Sequence, residues 1–329
     1  MIRWWLLSDK SVQVREHAAA ALARYPDSRA VESLVTAANH PSATVRRAAV
    51  GTLGSYPDEV GLDHIVQAIA DTDAVVRTRA VETLTLVRTG ARLKALARGL
   101  EHGDASVREE AVNALGRFGR SICKPEDTWR KEDVVQALES AVNDPEPHVR
   151  GRISVALRPF RKDKKAGEIV VSLLTDRDAD VRINAAWSLG EMRQKKSVDP
   201  LIAALSDPDP KVRSHVAKAL GEIRPRKAMD PLMPLLDHEY AEVRAAAAKA
   251  LGNVWRENHA PHRRAVKPLI AALEDSHADV REAAAWALGD FNDRRSKDAL
   301  RAALHDKDHR VRDNAAGALR SMGEMPPAE

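Results

Sequence analysis

The sequence carries one cysteine, Cys123, in 329 residues. A lone thiol excludes an intrachain disulfide framework and a four-cysteine zinc site, and its scarcity fits a reducing compartment. Phenylalanine and tyrosine number three each, and aromatics reach only 4%. β-Sandwiches and barrels favour aromatic and β-branched residues, so this poverty argues against them. No stretch approaches the ~18 apolar residues of a membrane span. The opening Met1-Ile-Arg-Trp-Trp-Leu-Leu-Ser-Asp9 is too short in apolar residues for a signal peptide. A dominant charge is missing as well. The 52 basic and 48 acidic residues leave +4, too mild to announce a nucleic-acid binder. The chain therefore reads as soluble and cytoplasmic. What is present is 44% hydrophobic and 30% charged residues, enough for a core of Ala, Leu, Val and Ile under a solvated surface.

One period organises these residues. A Val-Arg pair recurs ten times, with its arginine at Arg15, Arg46, Arg77, Arg108, Arg150, Arg182, Arg213, Arg244, Arg281 and Arg312. The spacings are 31, 31, 31, 42, 32, 31, 31, 37 and 31 residues. A leucine follows each arginine by seven places, and Asp or His precedes it by six. Three registers held through ten units mark a repeat array.

The stretch from Asp207 to Gly221 displays the physics of one unit. Asp207 or Asp209 can cap a helix start, and Pro210 suits a first helical position. Val212, Val216, Ala219 and Leu220 then share one helical face. Gly221 and Pro225 mark the approach to the helix end. Ala228 to Leu236 reads as a second helix, after which Asp237-His238 begins the next turn. Neither helix can bury its stripe alone, so the units must stack into an all-α solenoid. An alanine three places after eight of the arginines lets helices approach closely. Residues 1–329 thus read as one array of about ten two-helix repeats, with loop insertions near 119–133 and 253–264. Neither end carries a clear polar cap, so the chain is expected to be a fragment or to pair through its ends.

The pattern Asp-x-Asp-x-x-Val-Arg-x-x-Ala-Ala-x-Ala-Leu-Gly, followed by Ala-Val-x-Pro-Leu-Ile-x-Ala-Leu, resembles HEAT repeats. More narrowly it is similar to the short HEAT-like class named after phycobilisome lyases. Asp176 to Gly190 with Val198 to Leu205, and Asp275 to Gly289 with Ala265 to Leu273, match best. The resemblance implies an α-solenoid; its relatives include bilin lyase subunits, assembly scaffolds and regulatory modules. Deoxyhypusine hydroxylase resembles a HEAT array with His-Glu pairs in helices for two irons. Here the one His-Glu, His238-Glu239, falls in a turn, and the comparable helix positions read Arg15-Glu16-His17 and Arg213-Ser214-His215. That ligand set is absent.

No Gly-rich phosphate loop, Gly-x-Ser-x-Gly, His-Glu-x-x-His or CxxC occurs. Glu257, His259 and His262 form a polar loop rather than a metal set. The recurrent Asp and Arg read as structural, and His40, His102 and His238 read as turn residues in the Asp position. No catalytic residue, metal or cofactor is expected.

Binding candidates come from departures from the period. Trp187 and Trp286 stand five places after their arginines, where other repeats vary. They read as packing residues or binding hot spots. The two insertions carry Trp129 and Trp255 with basic neighbours. The loops after the first helices carry Arg158, Arg161, Lys162, Lys164 and Lys165; Arg193, Lys195 and Lys196; Arg224, Arg226 and Lys227; Arg263 and Arg264; Arg294 and Arg295. One cation per loop suits the helix dipole, but these loops hold two to five. The favoured reading is a non-catalytic protein-binding scaffold. It uses a groove of second helices and this basic edge to hold an acidic or extended segment. The alternatives are phosphate contacts to nucleic acid and a bilin-lyase-like assembly subunit.

Overall fold

A computed structural model describes residues 9, 11, 13–14, 17–18, 28–56, 59–86, 89–121, 131–258 and 263–324. Trp4, Trp5, Cys123, Trp129, His259 and His262 lie outside them. Every regular element among the described residues is helical, and the fold is an α-solenoid. The period reads as one array with two insertions; the contacts group the chain into two compact units, Met1–Phe160 and Arg161–Glu329.

The first unit contains α1 (Ser28–Ala38), α2 (Ala43–Leu53), α3 (Glu59–Gln67), α4 (Ala74–Leu86), α5 (Thr89–Gly99), α6 (Ala105–Ser121), α7 (Lys131–Ser140) and α8 (Pro147–Ala156). The second contains α9 (Lys164–Ser172), α10 (Ala179–Met192), α11 (Val198–Ala203), α12 (Pro210–Ile223), α13 (Met229–Leu232), α14 (Ala241–Asn258), α15 (Val266–Ala272), α16 (Ala278–Phe291), α17 (Lys297–Ala303) and α18 (His309–Ser321). The even-numbered helices begin with the Val-Arg motif.

Each first helix starts as its sequence dictates. In α12 the Asp209 carboxylate accepts the N–H groups of Lys211 and Val212, and Pro210 is the first helical residue. Val212, Val216 and Leu220 are fully buried along one face. Burial of side chains of this size contributes about 1.5–3 kcal/mol each. The helix ends between Gly221 and Pro225, in the stretch that they mark. Helix α12 runs to Ile223, and Arg224 ends it in the left-handed conformation, φ 57°. Gly221 also serves packing. A Cβ there would stand 3.0 Å from Ala250 Cα in α14, and one at Gly190 would stand 2.9 Å from Ala219 Cα in α12. The first helices are therefore too close for a side chain at these points.

The second helices are short and end in 3-10 turns. Around α13 the 3-10 segments Arg226–Ala228 and Met233–Asp237 leave only four α-helical residues, since Pro231 and Pro234 offer no N–H groups. Both insertions begin by lengthening the first helix. Helices α6 and α14 run 17 and 18 residues, against 14 in α10.

A ladder of ion pairs ties successive turns. Arg182 Nη1 donates to the carbonyl of Asp176 in its own turn, while Nε and Nη2 reach both oxygens of Asp207 in the next. Asp207 Oδ1 also accepts the N–H of Asp209, closing its turn. Arg46–Asp71, Arg108–Asp144, Arg244–Asp275 and Arg281–Asp306 repeat this double contact. The recurrent Asp and Arg are thus structural. His40, His102 and His238 keep the turn, each accepting through Nδ1 the N–H two residues on.

Candidate partner-binding surface

The second unit builds its basic edge by one local device. Helices α10 and α12 end in left-handed arginines, Arg193 and Arg224, and α16 ends in Asn292 in the same conformation. A 3-10 turn follows: Lys195–Ser197, Arg226–Ala228, Arg263–Ala265 or Arg294–Ser296. The third residue of each turn, Ser197, Ala228, Ala265 or Ser296, is buried. Ser197 and Ser296 bond their hydroxyls to the carbonyls of Gln194 and Asp293. Anchoring that small residue sends Lys195, Lys196, Arg226, Lys227, Arg264, Arg294 and Arg295 into solvent. The turn exposes two adjacent positions, and both are cationic at 195–196, 226–227 and 294–295.

The charges on this edge are not equivalent. Lys227 pairs with Asp199, and Arg295 with Asp293 in its own turn. By contrast Arg161, Lys162, Lys195 and Lys196 surround one cleft of about 560 Å³, between α9 and the loop after α10. Gln194 floors it, donating to the Arg161 carbonyl at 2.9 Å while its amide covers the bare Cα of Gly167. The cleft's two carboxylates are engaged: Asp163 caps α9, and Glu168 pairs with Lys164 at 3.3 Å.

The tryptophans separate into two kinds. Trp187 on α10 is 42% exposed, one of three large apolar side chains so exposed among the described residues. Trp286 on α16 is half-buried, with its ring against Gly252, where a Cβ would lie 2.6 Å from Cζ3. The Arg256 guanidinium lies 4.9 Å from the ring centroid and is fixed by Asp290. Trp286 thereby walls a cleft lined by Ala241, Ala245, Ala246 and Ala283, with Lys218 and Lys249 and the carboxylates of Glu242, Asp279 and Glu282 around it. This cleft belongs to the first-helix face, whereas the sequence pointed to the second helices. Trp255 lies within α14, its ring stacked on Phe291 with centroids 4.5 Å apart. The Asp290–Arg256–Trp286 stack escaped sequence reasoning, because its members come from two helices with no shared register. Among the described residues no three His, Cys, Asp or Glu side chains are grouped to hold a metal. No described helix is long and apolar enough to cross a membrane.

The family model for HEAT repeats matches residues 2–85, 62–128, 93–177, 167–252 and 266–328. An engineered protein of known structure is 22% identical at a TM-score of 0.51, with 98% of this chain and 99% of that chain covered. Kap95p, solved with RanGDP, is similar at a TM-score of 0.64 and 15% identity, over 98% of this chain and 50% of its own. Kap121p bound to Pho4p is similar at 0.61 and 14%, over 98% of this chain and 41% of its own. The chain thus spans half the length of Kap95p and less of Kap121p. Likeness at these identities establishes the fold alone. Comparison with curated protein sequences finds no match.

Proposed function

The chain belongs to the HEAT-repeat family, and from that premise we propose that it is a non-catalytic scaffold that binds another protein along the basic edge of its second unit. The observation that carries this reading is the repeated 3-10 turn, which seats one small residue and displays two cations. Four cations around one cleft exceed what helix dipoles call for. The tryptophan-walled cleft on the first-helix face offers a second contact, of the aromatic kind enriched in binding hot spots. The similar Kap95p and Kap121p were solved with protein partners, Nup1 and Nup53p among them, which supports protein over small-molecule binding. Within the family, the 31-residue period supports reading the chain as one of the phycobilisome-lyase-like class, and the single cysteine supports a cytoplasmic location.

The test is affinity capture by the tagged chain, with and without nuclease. A charge-reversed chain carrying Arg193→Glu, Lys195→Glu, Arg226→Glu and Lys227→Glu runs alongside. The reading requires a stoichiometric protein that survives nuclease and is lost from the reversed chain. Proteins that vanish with nuclease would favour nucleic-acid association. A chromophore in the absorption spectrum of the captured material would favour the bilin-lyase-like alternative.

A further inference from the structure

The uncompensated charge of the basic edge is concentrated in one place. Beyond the cleft, Lys227 and Arg295 have carboxylate partners. The other exposed cations there, Arg226, Arg264 and Arg294, come to about one per loop, the number that a helix C-terminus attracts on its own. At the cleft, Arg161, Lys162, Lys195 and Lys196 are all exposed, and none of their side chains meets a carboxylate among the described residues. The cleft's own acids are committed to α9 and Lys164. Its floor is fixed by the Gln194 bond to the Arg161 carbonyl, so the two cationic walls keep their spacing.

We propose that this cleft, between α9 and the 193–197 loop, is the docking point of the basic edge, and that its ligand is a short acidic protein segment of three or four consecutive carboxylates. The inference rests on the scaffold reading and adds the location and chemistry of the contact. A polynucleotide needs cations at successive phosphates along its length, and the neighbouring loops do not continue the row, because Asp199 and Asp293 interrupt it. A compact run of carboxylates needs one dense cluster. Lysines are suited to it: each is a mobile point charge with three donors, tolerant of side-chain spacing. The four cations also raise the local concentration of an acidic segment and speed its arrival.

The probe is a fluorescein-labelled peptide holding four consecutive glutamates between Gly-Ser flanks, titrated with the full chain by anisotropy. The controls are the glutamine version, a single-stranded RNA and a duplex DNA. The glutamate peptide should bind, the glutamine peptide should not, and affinity should fall steeply with salt. Lys195→Glu with Lys196→Glu should weaken binding at least about tenfold. Arg264→Glu with Arg294→Glu should change it less than about twofold, since those cations lie on other loops. Lys195→Gln with Lys196→Gln guards against misfolding by reversal and should give an intermediate loss. Equal losses from both pairs of reversals, or tighter binding of RNA or DNA than of the peptide, would overturn the proposal. The two readings fail separately. A captured partner that is retained by the Lys195/Lys196 variants yet lost on reversing Arg226 and Lys227 overturns this site and leaves the scaffold standing. Capture of no protein removes the scaffold.

Discussion

The guanidinium of Arg182 closes on both carboxylate oxygens of Asp207, 25 residues downstream, at 2.7 and 2.9 Å. Their side chains are only 11% and 7% exposed. Each partner works twice, since Arg182 also holds its own turn and Asp207 caps the next. Asp207→Ala should therefore cost about 3 kcal/mol, because it strands a nearly buried guanidinium as well as a turn N–H. Asp207→Asn keeps the turn and should cost less. Urea unfolding of both, and of the Arg182→Met double variants, gives the coupling energy. A loss under about 1 kcal/mol for Asp207→Ala would reduce the ladder to surface pairing.

Arg213 marks one place where that ladder is interrupted. Its partner position holds His238, and its Nε is buried with no acceptor. Burial of His238 disfavours the imidazolium, and the nearby Arg213 and Arg244 repel it, against a weaker pull from Glu239. The folded state thus holds the His238 pKa below its ordinary value of 6.5. A depressed histidine contributes stability that is fully present above the unfolded value and lost as pH falls below it. Melting temperature should accordingly fall as pH drops below about 6.5. His238→Asp supplies the missing carboxylate, should stabilise by about 1–3 kcal/mol at pH 7, and should flatten that drop. A less stable aspartate variant would mean that Arg213 is not positioned to use it.

Gly221 offers a test of the first-helix layer. On helix propensity alone, Gly221→Ala should stabilise by about 1 kcal/mol. The new Cβ, however, would stand 3.0 Å from Ala250 Cα and 3.2 Å from its Cβ. Backbone in a packed layer yields little, so overpacking of about 1–3 kcal/mol should win. Thermal unfolding decides the sign, and the half-buried Gly317, where a Cβ meets nothing within 4 Å, is the control. Gly317→Ala should stabilise.

The repeat and its turns were legible because each follows a short-range rule that recurs in register. Val212 to Leu220 declares a helical face, and Asp207 and Arg213 recur at a fixed offset. What stayed hidden depends on pairing between repeats. Gly221 looks the same as a helix stop or as a contact point, and only the distance to Ala250 separates the two. Likewise Lys196, Lys227 and Arg295 are equivalent in register, and only their acidic neighbours distinguish them. Trp187 and Trp286 share one register, yet the first is 42% exposed and the second half-buried against Gly252.

That last contrast separates a packing residue from a surface one. Trp286→Ala removes a half-buried ring from Gly252 and from the Arg256 guanidinium, itself fixed by Asp290. It should cost about 2 kcal/mol, below the value for a fully buried tryptophan because one side of the ring faces the cleft. Arg256→Ala should account for about 0.5–1 kcal/mol of this through the lost cation–π contact. The two substitutions should be non-additive, since either one abolishes the same contact. Trp187→Ala lies on a more exposed part of the same face and should cost less than about 1 kcal/mol. Urea unfolding of the four chains orders them. If Trp187→Ala proves the costlier, its ring is holding a repeat together, and the surface left for a partner on the first-helix face shrinks to the Trp286 cleft.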